Sequence, residues 1–180
     1  MKTIIITLLL LFVVALPHLH ADEIDTTPVK DFDLKRYMGV WHEVARLDNK
    51  FERHLTDVTA EYLINGKDCD VTVINRGYNS KRSEWREAIG RAHITDTRGR
   101  LKVSFFIFTS TEYNIMALGK NYEWALVGTK SSKYLWILSR IPEMPTSTLN
   151  EIITIAQQRG YNTDELLILP NITIAELEGQ

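Results

Sequence analysis

Side chains able to do covalent or acid–base chemistry are few in this chain, and most stand far apart. The single cysteine, Cys69, lies in "GKDCDV" between Asp68 and Asp70, and two flanking carboxylates disfavour its thiolate. His42, His54 and His93 are scattered, while His18 and His20 fall in an apolar leader, so the imidazoles make neither a metal set nor a haem site. No Ser-His-Asp grouping, phosphate loop or carboxylate pair stands out, which argues against an enzyme. The sharper signal is "YMGVWHEVAR", Tyr37 to Arg46, where Gly39, Trp41 and Glu43 alternate. Alternate residues share one face of a strand, so an indole and a carboxyl point the same way. Glu43 reads either as a hydrogen-bonded structural carboxylate or as an acid or base.

These residues must be positioned by something, and composition bounds what that is. A chain of 180 residues, 44% hydrophobic and 24% charged, supports one globular domain with a sizeable core. Its first residues, "MKTIIITLLLLFVVALPHLHA", carry Lys2, an apolar run from Ile4 to Leu16, then Pro17 and small Ala21. That pattern predicts a signal peptide over 1–21, because the run is shorter than the ~20 residues a bilayer span needs. Export follows, to the periplasm or the exterior. Without Lys2 the charge balance is about −3 with no basic cluster, so nucleic acid is excluded as an electrostatically driven partner. One cysteine allows no intramolecular disulfide, leaving the core alone to hold the domain.

A polar stretch over 22–31 reads as a leader, and the pattern then becomes a run of short apolar segments divided by turns. Strands are predicted at Val40–Leu47, Val58–Ile64, Val71–Tyr78, Trp85–Thr95, Leu101–Phe108, Tyr113–Leu118, Tyr122–Thr129 and Tyr134–Ser139. Asn65-Gly66 between the second and third is a strong hairpin signal. Eight strands with hairpin-length loops predict an all-β, up-and-down antiparallel barrel, whose closure removes exposed edges. The period then changes. "PTSTLNEIITIAQQRG" places Leu149, Ile152, Ile153 and Ala156 at helical spacing and ends in Gly160, predicting one helix over 146–159 docked outside the barrel. A last strand, Leu166 to Leu169, is expected beside the first. The domain thus spans 32–170 and leaves a tail over 171–180.

Closing the barrel sets first and eighth strands side by side. Trp41, near the start of one, then meets Arg140, at the end of the other, and a guanidinium on an indole contributes about 0.5–2 kcal/mol. Trp41 becomes the plug of one end. Gly39, without a side chain, would let the leader cross beneath at close range. Here Gly39-Val40-Trp41-His42-Glu43, Tyr122 after the "GKN" turn, and Leu138-Ser139-Arg140 resemble the three signature regions of the lipocalins, in order. "DFDLKRYMGVWHEVARLDNKFERHL", "INRGYN", "LKVSFF" and "YLWILSR" are similar to the bacterial lipocalins related to apolipoprotein D and the plant temperature-induced lipocalins. Members of that branch are commonly outer-membrane lipoproteins. In this chain no cysteine follows the apolar run, and His42 stands where tyrosine is usual.

An eight-stranded barrel is wide enough for one small ligand. Strand parity predicts a lining of Ala45, Val58, Ala60, Tyr62, Val71, Val73, Asn75, Ala88, Gly90, Ala92, Val103, Phe105, Tyr113, Ile115, Trp124, Leu126, Trp136 and Leu138. Asn75, Tyr62, Tyr113 and Glu43 would orient a polar head or ordered water. The resemblance implies fatty acids or lysophospholipids as ligands, carried or stored for the cell envelope, with transient membrane contact. Other readings remain: a lipocalin-fold enzyme, or an interaction module that pairs copies through an outer apolar surface near Met116 and Leu118.

Overall fold

Alternating apolar and polar residues give the chain its sheet, and closure of that sheet determines where every later feature sits. The protein's structure, a computed structural model, describes residues 24–65, 70–106 and 109–169. The expected signal peptide over 1–21, Gly66, Cys69 and the tail over 171–180 lie outside them.

The strands are β1 (Gly39–Leu47), β2 (Leu55–Asn65), β3 (Asp70–Asn79), β4 (Glu84–Ile94), β5 (Arg100–Phe106), β6 (Thr109–Leu118), β7 (Trp124–Gly128), β8 (Leu135–Ser139) and β9 (Leu166–Ile168). Each pairs antiparallel with its neighbour, and β1 pairs with both β2 and β8, so eight strands close into a barrel. β2 reaches only Gly39–His42 of β1. Above that point β9 takes over the vacated edge, pairing with Ala45–Leu47, so the first strand is covered along its length. Helix α1 (Leu34–Tyr37), absent from the sequence reading, is a single turn whose N–H groups at Lys35 and Arg36 are capped by Asp33.

Helix α2 (Thr146–Gln158) lies within a residue of its expected bounds and buries Ile152 and Ala156, which share a face at i, i+4. It seats on an outer cluster of Val44, Ala45, Leu47, Met116, Leu126, Leu135, Ile137 and Tyr161. Gly160 ends it with φ +84°, the left-handed conformation that suits glycine. Arg159 then donates to the carbonyls of Met116, Asp25 and Thr27, tying barrel, helix and leader together.

Local irregularities change which side chains face in. A bulge between Glu43 and Ala45 shifts the register against β8, and an extra residue sends the following ones to opposite faces. Ala45, expected inside, therefore packs with Leu47 in the outer cluster. Arg46 turns inward instead and is 2% exposed. A second bulge between Ile115 and Ala117 puts Ala117 outside and turns Leu118, expected on the outer surface, inside. In β7 the expected face is also inverted: Trp124 and Leu126 lie under the helix, while Ala125 and Val127 join the inner core.

Candidate functional site

One end of the barrel is shut by residues drawn from three parts of the chain. Trp41 is fully buried, and its Nε1 donates to the Tyr37 carbonyl at 2.8 Å. The Arg140 guanidinium lies 3.7 Å from the indole ring centre, as the sequence placed it. Its Nη1 donates to the Val40 carbonyl and its Nη2 to that of Arg36, both at 2.8 Å, while Nε reaches Tyr122 at 3.3 Å. Gly39 has a reason other than close approach: its φ is +91°, and a Cβ there would sit at an ordinary 3.5 Å from Arg140. Backbone conformation, not space, calls for glycine. Tyr122 accepts a hydrogen bond at its hydroxyl from the Asp33 N–H and carries the Arg36 guanidinium over its ring at 4.2 Å.

Above this floor lies a narrow cavity of about 90 Å³, walled by Glu43, Glu52, Val58, Ala60, Tyr62, Val73, Asn75, Val103, Phe105, Tyr113, Trp136 and Leu138. Ten of the residues that strand parity pointed inward are thus on its wall. Val71, Ala92 and Ile115 are buried in the inner core without reaching the open space. Gly90 faces in but is covered by Phe105, whose ring would lie 2.7 Å from an added Cβ. Ala88 is exposed, and Ala45, Trp124 and Leu126 are outside for the reasons above.

Polar groups on the wall fall into two sets. Toward the floor the hydroxyls of Tyr37, Tyr113 and Tyr62 form a chain, with oxygens 2.8 and 2.7 Å apart. Burial raises all three above the ordinary phenol value, Tyr62 to about 12, so they stay neutral donors and acceptors. The second set was not legible in the sequence. Residues 48–54, joining β1 to β2, fold back so that Glu52 accepts from the Trp136 indole N–H at 2.9 Å. The Glu52 and Glu43 side chains both line the cavity. The loop thus brings a second carboxyl, from a residue nine positions on, to the same wall.

Burial first, and the charge of Glu52 second, hold the Glu43 carboxyl well above its ordinary value, while Arg46 opposes them. Arg46 Nη1 donates to Glu43 at 2.7 Å, and its Nη2 to the carbonyls of Glu52 and Leu55 at 2.8 and 3.1 Å. Arg46 thereby bridges the gap where β1 and β2 part. It is not on the cavity wall. Elsewhere His93 is paired with Asp70 on the surface at 2.6 Å, and burial lowers the His42 pKa. Among the described residues no group of three His, Cys, Asp or Glu side chains could hold a metal, and no helix is long and apolar enough to cross a membrane.

Known proteins share this arrangement. The lipocalin-like domain family matches residues 32–171. Outer membrane lipoprotein Blc of Vibrio cholerae is 43% identical over 78% of this chain and 83% of its own length; Blc of Escherichia coli K12 is 42% identical over 78% and 80%. Temperature-induced lipocalin-1 of Arabidopsis thaliana is 31% identical over 77% and 78%. Among solved structures, insecticyanin of Manduca sexta superposes with a TM-score of 0.66 at 21% identity, covering 84% of this chain and 86% of its own.

Proposed function

The chain belongs to the bacterial lipocalins, barrels that bind small hydrophobic ligands, and on that premise we propose that it stores or transports single-chain amphipathic lipids, fatty acids or lysophospholipids, in the cell envelope. The observation that carries this reading is the cavity itself, closed below by Trp41 and Arg140 and walled mostly by apolar side chains, among them Val58, Val73, Val103, Phe105 and Leu138. At about 90 Å³ the enclosed space holds only about three water-sized groups, so a longer chain extends through the mouth or displaces wall side chains such as Phe105. The relatives named outer membrane lipoproteins support an envelope setting, periplasmic or secreted. No reaction is required of it, since lipocalins are ligand-binding proteins and not typical enzymes.

Burial of each methylene contributes about 0.8 kcal/mol, close to fourfold in affinity. Affinity for a series of alkyl chains should therefore climb steeply with length. Lipid extracted from the folded, purified protein and identified by mass spectrometry tests the assignment directly. Recovery of polar metabolites alone, with affinity independent of chain length, would overturn it.

A further inference from the structure

Cations that the sequence scatters are gathered by the fold at the mouth of the barrel. Three connections leave it at the end away from Trp41: residues 48–54 after β1, 80–83 after β3 and 129–134 after β7. They form one rim. The Ser80 N–H and hydroxyl donate to the His54 carbonyl at 3.0 and 3.2 Å, and the Phe51 and Tyr134 ring centres lie 6.4 Å apart. Together with the first residues of β4, Glu84 to Arg86, these connections hold seven lysines and arginines against three carboxylates. The chain without Lys2 has the opposite balance, about −3. Asp48 is paired with Arg53, Glu84 with Arg82 and Arg86, and Lys130 with Glu112; Glu52 turns in to Trp136. Lys50, Lys81 and Lys133 are exposed and belong to no ion pair among the described residues.

Two large aromatic side chains stand among these charges. Phe51 is 62% exposed and Trp85 59%, each resting on a half-buried tyrosine, Tyr134 and Tyr78. Rings left in water forgo the gain of burial. Rings flanked by ammonium groups suit the headgroup level of a bilayer, where the aromatic body is covered and the cation meets phosphate. The rim is also the ligand's way out, since the other end is shut and the enclosed space of about 90 Å³ cannot contain a long chain. We propose that this rim docks on the surface of an anionic lipid bilayer, with Phe51 and Trp85 entering the headgroup region and Lys50, Lys81 and Lys133 meeting lipid phosphates, so that a ligand passes between bilayer and cavity without crossing water. This rests on the lipid-carrier reading and adds to it a face and a lipid charge, neither of which the sequence supplied. Charge alone would suit an acidic protein; two exposed rings beside the ligand's exit favour lipid.

Flotation of the purified full chain, as recovered after export, with vesicles of phosphatidylcholine alone or with about one-third phosphatidylglycerol tests it. At about 0.05 M salt, partitioning onto the anionic vesicles should be at least about tenfold the stronger, and at about 0.5 M salt the gap should close below about threefold. A lysine near an anionic surface contributes about fivefold, so Lys81→Gln combined with Lys133→Gln should weaken anionic binding at least about tenfold. Lys30→Gln combined with Lys120→Gln, exposed beside the closed end, should change it less than about twofold. Phe51→Ser combined with Trp85→Ser should weaken binding to both vesicle types at least about fivefold. Equal partitioning of the unaltered protein onto the two vesicle types would overturn the docking, and that comparison needs no variant to fold. Equal losses from the two lysine pairs, or no loss from the ring pair, would do the same. Alkyl-chain affinity measured without vesicles reports separately on the carrier reading: if docking fails while affinity still climbs with chain length, that reading stands, and if no alkyl chain binds, both fall.

Discussion

Replacing Arg140 with alanine is the most direct test of the closed end. The guanidinium donates two hydrogen bonds at 2.8 Å to the carbonyls of Val40 and Arg36, a longer one to Tyr122, and lies 3.7 Å from the Trp41 ring centre. A hydrogen bond from a charged donor contributes about 1.5–3 kcal/mol when well shielded. Arg140 is partly exposed, so about 1 kcal/mol for each short bond is the fitting figure. The stacking on Trp41 adds about 1 kcal/mol. Arg140→Ala should therefore lose about 3 kcal/mol, and at ~2–4 °C per kcal/mol for a domain of this size Tm should fall by about 6–12 °C. Arg140→Lys keeps the charge but not the planar fork, and should recover less than half of that. Combining Arg140→Ala with Trp41→Leu, which removes the ring, in a double-mutant cycle isolates the ring contact, with an expected coupling of about 1 kcal/mol. Urea unfolding measures the unaltered protein and the four variants. A loss below about 1 kcal/mol for Arg140→Ala would refute the claim that this residue clasps the base.

Gly39→Ala forces a side chain into φ +91° and should cost about 1–2 kcal/mol in urea unfolding without altering the ligand preference. Gly90→Ala brings a Cβ to 2.7 Å from both the Phe105 ring and the Ser104 carbonyl oxygen; overpacking of about 1–3 kcal/mol should appear as a lower Tm together with weaker uptake of a long alkyl chain. Glu43 carries a pH signature. Its folded-state pKa is raised well above the ordinary 4.5, so its contribution is complete below that pH and is lost as pH rises toward the folded-state value. In scans from about pH 5 to 8 the Tm of Glu43→Gln should move upward relative to the unaltered protein as pH rises; a constant difference would show that Glu43 stays ionised throughout.

The sequence made the architecture legible because hairpin turns and period-two runs are local. It also located the base, since Gly39, Trp41 and Arg140 sit near the ends of the first and last strands, where closure leaves little choice of partner. Parity carried the lining only as far as each strand stayed regular. Ala45 was misplaced because the bulge at Glu43 adds a residue that no composition rule flags. Trp124 and Leu126 were misplaced because both faces of "WALVG" are apolar, one against the interior and one against α2, so alternation held no sign. Glu52 and Arg46 were missed for different reasons. The loop "DNKFER" has no periodicity, and Asn49 Oδ1 shapes it by accepting from the N–H groups of Phe51 and Glu52; Arg46 lies on the face opposite Glu43 in a regular strand, and only the bulge turns it inward.

The partnership of β1 with β8 also governs when the molecule can come into being. Arg140 and its acceptor Val40 are 100 residues apart, so a nascent chain displays the outer edges of an open sheet until almost the whole domain has been synthesised. Bare edges recruit other strands, and contacts this distant in sequence form slowly. Translation cannot finish this protein piece by piece: a ribosome product ending before Leu135 would be a curved sheet seeking any neighbour, and escorting chaperones would have to shield it until the last strand arrived.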